Sequence, residues 1–82
     1  MSEITYFVAL PFLLGDEGLV PGAAEECRTP IQAATRAEAL SRIEHHVGAL
    51  AFSRIGDLAT GDFLDAKLIK KFGDVPDDLS GL

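Results

Sequence analysis

Residues 4–14 read ITYFVALPFLL, an uncharged stretch with apolar side chains on both sides of any strand it forms. Ile4, Tyr6, Val8, Leu10, Phe12 and Leu14 would line one face, with Phe7, Ala9 and Leu13 on the other. A strand buried on both faces reads as a near-continuous apolar run, whereas a half-solvated strand alternates with polar residues. The segment therefore belongs at the centre of a sheet. Pro11, which has no ladder donor, marks a bulge or a local edge within it. The cluster Gly15-Asp16-Glu17-Gly18 supplies a turn. Leu19-Val20 and then residues 23–28, interrupted by Pro21-Gly22, return as one long, irregular second strand.

A helix start follows. Thr29-Pro30-Ile31-Gln32 places threonine at the N-cap, proline at the first helical position and glutamine at the third, where hydroxyl and amide can satisfy each other's backbone donors. Ala33, Ala34, Ala37, Ala39 and Leu40 favour helix. Ile31, Ala34, Ala37, Leu40, Ile43 and Val47 recur at three- and four-residue steps and define the expected buried stripe, with Glu38 and Arg42 as an outward i,i+4 pair. Gly48 is the expected left-handed stop. Residues 49–55 read as a third strand and 56–62 as a loop with Gly61 at positive φ. Residues 63–72 read as a fourth strand, with Leu64, Ala66, Leu68 and Phe72 on one face and Phe63, Asp65, Lys67, Ile69 and Lys71 on the other.

The order β-β-α-β-β predicts an α+β fold, a mainly antiparallel four-stranded sheet with one helix packed on one face. Residues 1–75 form a single small domain and 76–82 an acidic C-terminal tail. Four strands make a sheet roughly 15–19 Å wide, against a helix about 10 Å across. The face opposite the helix, carrying Phe7, Leu13, Phe63 and Ile69, would leave an apolar patch that monomers seldom expose. A domain of this size also buries only about 60–65% of its unfolded surface. Both considerations predict a homodimer, formed through that face or through an edge strand.

Charge narrows the partners. The formal net charge is −6, and the seven cationic residues are scattered apart from Lys70-Lys71. Nucleic-acid binding needs a clustered cationic face, which this pattern does not supply. The single cysteine, Cys27, precludes an intramolecular disulfide and fits a reducing compartment. No basic region precedes the apolar run, and the run falls short of the roughly 20 residues a spanning helix requires. The expected location is therefore the cytoplasm, with no membrane partner.

Candidate chemistry is sparse. His45 and His46 are adjacent, about 100° apart on a helix, whereas chelation favours i and i+4. As residues near a helix C-terminus they suit the negative end of the dipole. Cys27 precedes a helix N-terminus, which favours thiolate, but Glu25 and Glu26 oppose it. Asp57, Thr60, Gly61 and Asp62 superficially resemble a calcium or phosphate loop. Ala59 occupies a ligand position and no Lys-Ser or Lys-Thr follows the glycine, so Asp57 reads as a turn cap. Arg54 is expected to pair across strands with Asp65 or Asp62. No catalytic residue, metal or cofactor is implied.

The phrases Leu19-Val20-Pro21-Gly22, Ala37-Glu38-Ala39-Leu40, Ala51-Phe52-Ser53-Arg54, Gly56-Asp57, Thr60-Gly61 and Phe72-Gly73-Asp74-Val75-Pro76 resemble a group of short conserved hypothetical proteins from alpha-proteobacteria. The resemblance covers nearly the whole chain and implies a complete small protein. It brings no activity or site residue with it. The favoured function is a homodimeric interaction or accessory module without catalysis. The alternative is a small-ligand-binding protein or minor enzyme, with a pocket between helix and sheet or at a dimer interface. Tyr6, Cys27, His45, His46 and Arg54 would then supply polar contacts.

Overall fold

The computed structural model describes residues 3–76; of the tail expected over 76–82, all but residue 76 lies outside the described residues. The elements are β1 (Glu3–Gly15), β2 (Gly18–Pro21), β3 (Glu25–Cys27), α1 (Pro30–Ser41), β4 (His46–Asp57) and β5 (Lys67–Gly73). One helix packs on an antiparallel sheet in the order β2-β1-β4-β5, with β3 also paired to β1. The α+β fold is as the sequence predicts, but there are five strands rather than four. The second strand is divided, because Pro21-Gly22 breaks the return and both pieces lie along the same edge of β1.

β1 is central, and Pro11 explains how it tolerates a proline. The Pro11 carbonyl accepts from the Gly22 amide at 2.8 Å. Along a strand, N and C=O of one residue face the same side. The proline nitrogen therefore faces the gap between β2 and β3, where no ladder bond is required. On its other edge β1 pairs continuously with β4 from Glu3↔Asp57 to Phe12↔Gly48.

The helix begins as its cap predicts. Thr29 Oγ1 accepts from Gln32 N at 3.0 Å, and Gln32 Oε1 accepts from Arg28 N at 3.2 Å. Glu38 and Arg42 meet at 2.8 Å. The buried stripe, however, is Ala33, Ala37 and Leu40, rotated from the expected one, and Ile31 is 79% exposed. The helix also ends sooner, with Arg42 as its C-cap. The positive-φ residue is His45 (φ 75), and Gly48 is already inside β4. His46 Nδ1 lies 2.8 Å from the Leu40 carbonyl, to which it donates, so that this carbonyl of the last turn is satisfied by a side chain.

The face assignment reverses as well. The helix covers Ala9, Ala49 and Ala51, which are wholly buried against Ala33, Ala37 and Leu40, with Phe7, Ile69 and Phe72 packed around them. Phe7 and Ile69 are thus on the helix side, not on the opposite face with Phe63. Small side chains on both surfaces let the helix approach closely, whereas the bulkier residues need a deeper layer and take the other side. Ile69 and Phe72 share that face despite their odd spacing because the β4–β5 register shifts between Ala51 and Phe52.

The reverse face holds Leu10, Phe12, Leu50 and Phe52, covered by Leu19, Ala66 and Val75. Two glycines make that cover possible. Gly73 (φ +68) turns the chain out of β5, and Asp74 then crosses over Gly48, where a Cβ would lie 2.7 Å from both the Asp74 nitrogen and its carbonyl carbon. The Asp74 amide donates to the Val47 carbonyl at 2.9 Å, delivering Val75 onto the reverse face. The last strand is shorter than residues 63–72 because Phe63 makes only an isolated bridge to Gly56. Before it, Asp57 caps its turn as expected, its Oδ1 accepting from Ala59 N at 2.9 Å, and Gly61 takes positive φ (76°).

Candidate interaction surface

Among the described residues, cover on the reverse face stops short of the β1 start. Tyr6 and Val8 of β1 lie opposite Arg54 and Phe52 of β4, and Glu26 flanks Val8 from β3. Phe63 stands over this end, its ring centroid 6.0 Å from that of Tyr6 at a 40° tilt. Gly56 permits that approach, since a Cβ there would lie 2.9 Å from Phe63 Cε1 and 3.1 Å from Tyr6 Cε2. These residues, with Ala24, enclose a groove of about 310 Å³. Phe63 remains 60% exposed, and Ile4 and Leu68 on the same face are 42% and 48% exposed.

A second, larger concavity of about 460 Å³ lies between β3 and the outer side of α1, lined by Cys27, Ile31, Thr35 and Ala39. Across it Arg36 grips Glu25 with two parallel bonds, Nε to Oε1 and Nη2 to Oε2, both 2.9 Å. This fork-to-fork pair fixes the helix to the edge strand. Residue spacing does not announce this pair, because the partners are eleven residues apart and meet only through the fold.

The electrostatics of the second groove argue against a reactive thiol. Burial first, and then the Glu25 carboxylate, push the Cys27 thiol above its ordinary range. Glu25 is itself held below the usual glutamate value of 4.5, chiefly by its hydrogen bond to Arg36. Because the folded value is depressed, the pair stabilises the fold above the unfolded value and the effect is lost as pH falls through the folded one. Glu25→Gln is therefore expected to lower stability at about pH 7, and the difference from wild type to be smaller at about pH 3. Urea unfolding at the two pH values reads this directly; a difference independent of pH would contradict it.

The five residues proposed as ligand contacts do not converge. Tyr6 and Arg54 share the reverse-face groove. Cys27 lines the groove beside the helix, and His45 and His46 lie at the turn between α1 and β4. The centre of the helix–sheet layer, one of the two places the alternative reading allows for a pocket, is filled by alanines with no exposed surface, and the concavity between helix and sheet lies at its β3 edge. Of the proposed interface set, Phe63 is the most open, Leu13 is half-buried, and Phe7 and Ile69 belong to the helix side. Among the described residues no three of His, Cys, Asp or Glu come together as a metal site, and no helix is long and apolar enough to cross a membrane. Compared with family models, curated proteins and solved structures, the chain matches none.

Proposed function

We propose that the protein is a small cytoplasmic interaction module without catalysis, a homodimer joined through the open end of the reverse sheet face. The supporting observation is Phe63, an aromatic ring 60% exposed above Tyr6 where cover by the described residues ends. Aromatic anchors beside partly filled apolar grooves are typical centres of binding energy. Ile4 and Leu68 extend the patch on the same face. A standard interface takes about 800 Å² from each partner, roughly a seventh of the 5515 Å² surface of this chain. Twofold symmetry would place each Phe63 against the groove of the other copy.

Light scattering at micromolar concentration is expected to give twice the mass of one chain. Phe63→Asp is expected to return it to a single chain, since an unpaired carboxylate in an apolar seam costs several kcal/mol. A wild-type protein that stays monomeric, or a Phe63→Asp variant that stays dimeric, would rule this seam out.

A further inference from the structure

The two outer edges of the sheet carry opposite charge. β5 forms one edge and contributes Lys67, Lys70 and Lys71, three of the chain's seven cationic residues. The other edge, formed by β2, β3 and the turn before β2, carries Asp16, Glu17, Glu25 and Glu26. We infer that the β5 edge of one copy docks on the β3 edge of another, extending the sheet head to tail.

Topology fits this pairing. Every neighbouring pair in the sheet is antiparallel. β1 and β5 therefore run one way, while β2, β3 and β4 run the other. A copy displaced sideways without inversion sets its β5 antiparallel to the next copy's β3, and all helices stay on one face. Side chains match too. Lys71 lies opposite Leu50 and Glu26 opposite Val8, so both project on the face away from the helix. They come to the same side of the joined sheet. Glu25 keeps its bond to Arg36 on the helix side.

Charge also selects against the symmetric alternatives. Two β5 edges brought together would oppose lysine to lysine, and two β3 edges glutamate to glutamate, the arrangement by which edge strands avoid pairing with themselves. Only the mixed edge contact is attractive. Heterologous contacts of this kind build short open chains or rings rather than closed pairs. The contact shares Glu26 with the rim of the Phe63 groove, but its salt dependence has the opposite sign.

Sedimentation of the full chain, as wild type and with Phe63→Asp to remove the groove contact, at about 0.01 M and about 1 M salt tests it, because screening length contracts from about 30 Å to about 3 Å over that range. The edge substitutions are made in the Phe63→Asp background. Edge docking predicts a mass above one chain at low salt that falls at high salt. Lys67→Glu/Lys71→Glu and, separately, Glu26→Lys should each abolish low-salt association. An equimolar mixture of the two variants should restore it, since each then offers the edge the other lacks. That restoration also shows that both variants are folded. Association that strengthens with salt would support the apolar groove and overturn edge docking. Association unchanged by the substitutions would overturn it as well, and so would a mixture that remains monomeric. A wild-type chain monomeric at both salts would overturn both surfaces.

Discussion

Phe12→Ala is expected to remove at least about a quarter of the domain's stability at 25 °C. Phe12 is 2% exposed and sits on the reverse face with Leu10, Leu50 and Phe52. Truncating such a ring removes its transfer free energy and leaves a cavity, together about 3–5 kcal/mol. A domain of this length has only about 4–12 kcal/mol in total. The surrounding layer cannot collapse to fill the space, because the rigid β1–β4 ladder holds one side and the short segments bearing Leu19 and Val75 hold the other. Urea denaturation should show the midpoint reduced by about a quarter or more. Phe63→Ala is the informative control, since that ring is mostly exposed and its loss should cost about 1 kcal/mol or less in the isolated chain. Equal losses at the two positions would mean that the reverse face is not the buried layer described above.

Gly48→Ala is the second large effect, and it acts through backbone rather than packing volume. The new Cβ would fall 2.7 Å from the Asp74 nitrogen and 2.7 Å from its carbonyl carbon. No rotamer can relieve a clash with main chain, so the crossing segment has to move. The expected loss is about 3 kcal/mol, at the upper end for overpacking, which lowers the melting temperature by roughly 12–24 °C in a domain of this size. The damage should be local at first. The Asp74 amide, bonded to Val47 O at 2.9 Å, is expected to lose hydrogen-exchange protection before the centre of β1 does. At Gly15 a Cβ would meet a Val20 methyl at 3.1 Å and the Gly18 carbonyl oxygen at 3.3 Å, tight contacts that a shift of a few tenths of an ångström relieves. Gly15→Ala should therefore be nearly neutral, and a comparable loss there would remove the steric explanation for Gly48.

The elements themselves were readable wherever the deciding interaction is local. The threonine cap and proline of α1, the Asp57 turn and Gly61 lie within a few residues of their partners, so spacing alone specifies them. The apolar run of β1 likewise carried its central position, because burial on both sides leaves no room for polar residues. Which faces those elements present was not readable. The helix stripe differs from the expected one, and Phe7 and Ile69 lie on the face opposite to the one expected, each through a choice between neighbouring alternatives of similar hydrophobicity. An alanine at 33 or 34 is equally apolar, and only the flat alanine floor of Ala9, Ala49 and Ala51 selects Ala33.

The candidate surface shows the same division. Tyr6, Arg54 and Phe63 could be named from the sequence as side chains with something to offer, yet nothing in their spacing announces that they share a groove. They meet because β1 and β4 pair at Tyr6↔Arg54 and the loop after β4 folds Phe63 back over Gly56. Composition determined that the chain folds around a two-sided strand with one helix and carries a net negative charge. Tertiary structure decided the rest: which face the helix takes, how far Val75 and its neighbours cover the other, and where cover ends. Those outcomes depend on shape matching and chain crossings between residues far apart in sequence, which a linear pattern of polar and apolar positions does not encode.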